Sequence, residues 1–119
     1  MSTIAVGKKG EDVAVAFLKK QGYKIIERNF KKKHGDIDIV ALDGQTLVFI
    51  EVKTRHSKSF GPPLEAIPPW KVKGLVKSAQ FYHMLHPDLP DLLRIDAIGI
   101  DYSESATSPK IELVKNITS

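Results

Sequence analysis

The chain has 119 residues, no cysteine and a formal net charge of +4. That length suits one domain, residues 1–119, with a core that needs no staples, and the missing cysteines exclude disulfides and thiolate metal sites. The N-terminus has no apolar core of signal-peptide length, and no run nears the ~20 apolar residues of a membrane span. A cytoplasmic protein with a polyanionic partner is the expectation, since surplus Lys and Arg attract polyanions.

Val13, Ala14, Ala16, Phe17 and Leu18 are spaced for one buried helical face, which predicts a first helix over residues 10–21 with Gly22 as its stop. Glu11 shares a stripe with Ala14 and Leu18 and so can face the sheet. In the first turn of this helix, its ordinary role is to complement the helix dipole. A strand is expected over 23–29, then a basic loop carrying Lys31, Lys32 and Lys33. Two apolar runs follow, separated by the turn residues Asp43, Gly44, Gln45 and Thr46, and these read as a hairpin. Residues 54–63 are polar and rich in Gly and Pro, hence a loop. Pro68 and Pro69 introduce a second helix over 70–85, with Val72, Leu75, Val76, Ala79 and Tyr82 as its apolar stripe and Lys71, Lys73 and Lys77 off it. Strands over 92–101 and 110–117 complete the order α-β-β-β-α-β-β. That order predicts an α/β fold with a mixed central sheet flanked by helices.

Chemistry is concentrated on the hairpin. Strand alternation puts Asp36 and Asp38 on one face, with Ile37 and Ile39 on the other, and places Glu51 and Lys53 together on the next strand. A two-residue loop at 43–44 would set Asp36 opposite Glu51; a four-residue loop over 43–46 would set Asp38 there. Either register gathers Asp38, Glu51 and Lys53. Two neighbouring carboxylates repel unless a proton or cation is shared, and a hard ion such as Mg²⁺ binds through one or two carboxylates plus water. Lys53 either neutralises the acids or lies beside a metal-bound water and a phosphate; one contact serves both readings. The basic residues Lys31, Lys32, Lys33, Arg55, Lys71 and Lys73 flank this cluster as a phosphodiester backbone would require. Trp70, Phe60 and Tyr82 are candidates for base stacking, with core packing the commoner role for Tyr82. The four histidines have neither zinc-site spacing nor a nucleophile partner.

Asp38 followed by Glu51-Val52-Lys53 resembles the PD-(D/E)XK motif of restriction-endonuclease-like nucleases. The whole chain resembles the YraN family of small bacterial proteins, which is similar to archaeal Holliday-junction resolvases. The match runs through Gly7, Gly10-Glu11, Ala14, Gly22-Tyr23, Arg28-Asn29-Phe30, Gly35 to Asp38, and Phe49 to Arg55. Lys71, Ala79, Tyr82, Asp96 and Asn116 extend it, whereas Val72 stands where a polar residue is common. The resemblance implies a restriction-endonuclease-like core with Asp38, Glu51 and Glu11 as ligands of Mg²⁺ or Mn²⁺, and Lys53 beside the attacking water. The expected function is metal-dependent cleavage of DNA, branched or structured DNA included, by Asp38, Glu51 and Lys53. A homodimer follows if the substrate needs two symmetric cuts. The alternative is a catalytically silent nucleic-acid-binding or adaptor domain that keeps the fold.

Overall fold

The computed structural model describes residues 3–58, 61 and 63–118. Helix α1 (Thr3–Lys20) leads into β1 (Lys24–Phe30), β2 (Ile37–Asp43) and β3 (Thr46–Arg55). A short 3₁₀ turn (Pro63–Ala66) and helix α2 (Pro69–Leu85) then return the chain to β4 (Leu92–Asp101) and β5 (Lys110–Val114). The result is a five-stranded open mixed sheet in the order β1-β2-β3-β4-β5. Neighbours are antiparallel except β3 and β4, which run parallel because α2 carries the chain back between them.

Each helix covers one face. Ala14 and Leu18 of α1 pack on Ile39, Ala41, Val48, Ile50, Ile98 and Ile100. On the other side Leu75, Ala79 and Tyr82 of α2 meet Ile37, Val40, Leu47, Phe49 and Ile95. Both faces of β2 and β3 are therefore apolar, as expected of strands covered on both sides. The expected element order is the observed one, and β4 has the expected limits.

Three expectations are corrected. Helix α1 starts at Thr3 rather than residue 10. Gly7 and Gly10 are poor helix formers, but Gly10 lets the helix lie against β3, where a methyl group would collide with Thr54 Oγ1. Thr54 and Arg55 belong to β3, not to the following loop, since their pairing with Ile100 and Asp101 extends the parallel ladder. The third correction concerns Ile37 and Ile39, which lie on opposite faces, one under each helix. Asn29 of β1 has a left-handed backbone (φ 58), and the pairs on either side are Arg28 with Ile39 and Phe30 with Ile37. This twist interrupts the alternation next to Asp38.

A candidate active site at the end of the central strands

The hairpin turn is short. Asp43 pairs with Thr46 across Gly44 and Gln45, and Gly44 takes the positive φ (59) that suits a glycine-first two-residue turn. The ladder continues to Ile39 opposite Ile50, so Asp38 stands opposite Glu51. This is the register anticipated for the longer loop, reached with a tighter turn. Beyond Ile39 the ladder gives way to a side chain: Asp38 Oδ2 accepts the Val52 N–H at 2.7 Å. The hydrogen bond fixes the carboxylate between the strands at the point where the backbone twists.

Glu51 is only 4% exposed. It follows Leu47 and Phe49 onto the face covered by α2, and the first turn of α2 supplies its partner. Lys71 Nζ lies 2.6 Å from Glu51 Oε1, and Lys53 Nζ lies 3.8 Å from the same oxygen. Glu11 reaches the cluster's edge from α1. Far from the first turn of that helix, it does not serve the dipole: it is 9% exposed and accepts Arg28 Nε at 2.7 Å and Asn29 Nδ2 at 3.2 Å. The left-handed Asn29 thus positions the acid as well as twisting the strand.

Electrostatics follow from this placement. Burial, reinforced by the charge of Glu51, pushes Asp38 up to about 7, against the pull of the Val52 hydrogen bond and of Lys71. Burial and the adjacent Lys71 ammonium hold Lys53 below its ordinary value. For Lys71 burial is the largest influence and acts downward too, but the hydrogen bonds to Glu51 and Lys53 and the charges of Glu51 and Asp38 together outweigh it, and Lys71 is raised. The cluster holds a carboxyl pushed up to about 7, a buried glutamate side chain in contact with Lys71, and a second lysine held below its ordinary value.

Asp38, Glu51 and Lys53 come together as anticipated, with Glu11 turned toward them but engaged by Arg28. Among the described residues no three acids or imidazoles converge into a ready-made metal cage. The donor set nonetheless suits a hard cation that keeps much of its water. Asp38 Oδ1 and Glu51 Oε2 take no hydrogen bond among the described residues, and such a cation needs only one or two carboxylates.

The basic residues divide. Lys71, expected to hold a nucleic-acid backbone, is drawn into the cluster by Glu51; its spacing from Leu75, Ser78 and Tyr82, the buried stripe of α2, is the signal in the sequence. Arg55 is occupied by Asp101 at 2.7 Å across the β3–β4 ladder. Lys31, Lys32, Lys33 and Lys73 are exposed, with Lys32 lying over the rings of Phe30 and Phe81. Asp36 is exposed and accepts the Lys32 N–H, which closes the basic loop. Tyr82 is core, Trp70 is exposed, and Phe60 lies outside the described residues. His86 packs on Tyr82 and His56 on Tyr102.

A mixed α/β sheet with a buried carboxylate–lysine cluster at one end thus defines the class of protein. The chain belongs to the family described as "Uncharacterised protein family UPF0102", whose model matches residues 10–100. It is 43% identical over 112 residues to a UPF0102 protein of Geobacter metallireducens, covering 94% of this chain and 90% of the relative. It is also 40% identical over 116 residues to one from Caldicellulosiruptor saccharolyticus, covering 98% of each. The YraN-type kinship expected from the motifs is therefore shown. No helix among the described residues is long and apolar enough to cross a membrane.

Proposed function

We propose that this protein is a divalent-metal-dependent phosphodiesterase acting on DNA, branched or structured DNA included, with a restriction-endonuclease-like core. The observation that carries the reading is the pairing of a half-buried Asp38 with a buried Glu51 on adjacent strands, with Lys53 and Lys71 beside Glu51. Two acids enclosed by apolar strands at a sheet end bring no folding advantage of their own; their mutual repulsion is the mark of a site that awaits positive charge.

In this reading Asp38 and Glu51 would hold Mg²⁺ or Mn²⁺, with Glu11 at the edge of the same site. A bound ion supplies Lewis-acid polarisation of the scissile phosphate and a water acidic enough to attack near neutral pH. The chain's own residues do the rest. Lys53 orients the attacking water and offsets the charge that develops on the phosphoryl oxygens. Lys71 neutralises Glu51 while the site is at rest and is placed to turn toward a phosphate. The exposed Lys31, Lys32, Lys33 and Lys73 attract the backbone. A four-way junction, which takes two symmetric cuts, would call for a homodimer.

One observation favours the alternative of a silent nucleic-acid-binding or adaptor domain. Glu51 and Glu11 are already neutralised within the chain, by Lys71 and Arg28. Cleavage of labelled single-stranded, duplex, flapped and four-way-junction DNA and of RNA, in Mg²⁺, Mn²⁺ or EDTA, separates the two. Metal-dependent cutting that disappears in Glu51→Ala and Lys53→Ala is the expected result. Binding without cutting across the panel would replace the phosphodiesterase by the silent domain.

A further inference from the structure

Helix α2 carries two kinds of lysine. Lys71 lies on the stripe that faces the sheet, whereas Trp70, Lys73 and Lys77, at i, i+3 and i+7, share a stripe turned the other way. That second stripe borders an open groove of about 900 Å³ between α2 and the segment after β5, walled by Val72, Val76 and Ile117. Two smaller recesses continue it along α2, one sharing Val72 and Ile117, the other sharing Val76. Trp70 stands at its rim 74% exposed, an unusual position for the chain's only tryptophan. Lys73 and Lys77 pair with no acid among the described residues, although most other charged side chains along the sheet are paired.

We infer that this groove binds a DNA strand with unpaired bases, one base stacked on Trp70 and the adjoining phosphates held by Lys73 and Lys77. An aromatic platform flanked by cations is what a single strand requires: every base has a stackable face and every linkage a negative charge. The stripe from Trp70 to Lys77 spans about 10 Å, at 1.5 Å per helical residue. A second copy of the chain is a poorer occupant. An isologous contact over this face would bring the same lysines of each copy near one another, between partners that already carry a like net charge of +4. Duplex DNA is poorer too, because its bases are stacked on each other and cannot lie on Trp70.

The inference rests on the proposed nuclease reading in one respect. Trp70 adjoins Lys71 at the start of α2, so a strand that leaves the groove around that end of the helix approaches the Lys71–Glu51 pair, and the substrate class becomes DNA that is single-stranded or frayed beside the cut. Binding is tested apart from cutting, on the full chain in EDTA, with Trp70 as the sole tryptophan reporter. Oligo(dT) is expected to quench its fluorescence to saturation, and the oligo(dT)·oligo(dA) duplex to do so far less. By anisotropy of labelled oligo(dT), Trp70→Ala should weaken binding roughly tenfold or more, and Trp70→Phe should recover much of it. Lys73→Ala and Lys77→Ala should each lower the salt slope of log K by about 0.7. Equal quenching by duplex, binding of oligo(dT) without quenching, or a blue shift that grows with protein concentration alone would overturn the inference, the last in favour of self-association. Cutting that is indifferent to Trp70→Ala would leave the nuclease and remove this groove from it. Quenching by oligo(dT) in a protein that never cuts would keep the groove and remove the nuclease.

Discussion

Asp38 is placed where its charge is costly, and the cost has a definite pH dependence. Its ordinary value of 3.8 is raised to about 7 by burial and by Glu51. Between those values the folded protein holds a proton that the unfolded chain has released. The stabilising contribution is complete below 3.8 and is lost as pH rises through 7. Asp38→Asn keeps an oxygen for the Val52 N–H and removes the charge. In EDTA at pH 8 the variant is therefore expected to be more stable than the native chain by on the order of a few kcal/mol, at about 1.4 kcal/mol per unit. The gap should close toward pH 4, as read from urea melts at each pH. A native chain that matched or exceeded the variant at pH 8 would mean that the lysines already compensate Asp38. Glu51 offers a second comparison. Lys71 contacts it at 2.6 Å and Lys53 at 3.8 Å. Lys71→Ala should lower stability by about 1–3 kcal/mol, since it leaves a buried carboxylate nearly alone, and Lys53→Ala by clearly less. The reverse order in chemical denaturation would make Lys53 the principal partner.

At the scale of elements, α2 decides whether Lys71 reaches Glu51, and a glycine decides where α2 lies. A methyl group at Gly74 would collide with the His34 carbonyl oxygen, and Ser78 Oγ donates to the Gly35 carbonyl at 2.7 Å a turn later. Gly74→Ala gains roughly 1 kcal/mol of helix propensity. The colliding atom is backbone, however, so α2 must shift, and overpacking of this kind typically costs about 1–3 kcal/mol. The variant is expected to unfold at lower denaturant and to lose part of the Lys71–Glu51 contact. Greater stability than the native chain would show that the loop gives way instead. This close approach was not legible in the sequence, because a glycine inside a helical pattern does not say what it touches. The hairpin was legible, since alternation and turn chemistry are local. Asp38 and Glu51 followed from it in either register, but the break at Asn29 did not: a left-handed asparagine leaves no trace in apolar periodicity. Most of the apolar stripe of α2 was legible too: Leu75, Ala79 and Tyr82 are buried against the sheet and Val76 packs at the edge of the same cluster, while Val72 lines the groove beside it. Val72 lines a recess with Ala97, which pairs with Glu51 from β4, and offers the cluster no polar atom.

Across the whole molecule, charge is gathered in a second place, and its chemistry is structural. Asp96 on β4 has no exposed surface; it accepts Tyr23 Oη at 2.8 Å, Arg94 Nε at 2.8 Å and the Asn116 N–H at 2.9 Å. Arg94 also reaches Asp43 at the hairpin turn, at 2.7 Å. The end of α1, the hairpin, β4 and the segment after β5 are thereby joined around one carboxylate. Tyr23 is kept protonated, well above its ordinary value, by burial and by its bond to Asp96. The resemblance included Tyr23, Asp96 and Asn116 without a role for them; their geometry makes them a clamp on the fold rather than part of the Asp38–Glu51 cluster. The contrast yields a test. In the clamp every oxygen of Asp96 is satisfied, whereas Asp38 and Glu51 each keep an oxygen without a hydrogen bond among the described residues. Asp96→Ala leaves the buried part of Arg94 and the Tyr23 hydroxyl without their partner, and removal of one member of a buried ion pair costs about 3–5 kcal/mol. The variant should melt well below the native chain, yet bind Mn²⁺ with unchanged affinity in calorimetry at temperatures where it stays folded. Asp38→Ala should do the opposite, abolishing Mn²⁺ binding at a smaller cost in stability. A loss of Mn²⁺ affinity in a folded Asp96→Ala protein would join the two clusters into one cation site and displace the assignment to Asp38 and Glu51.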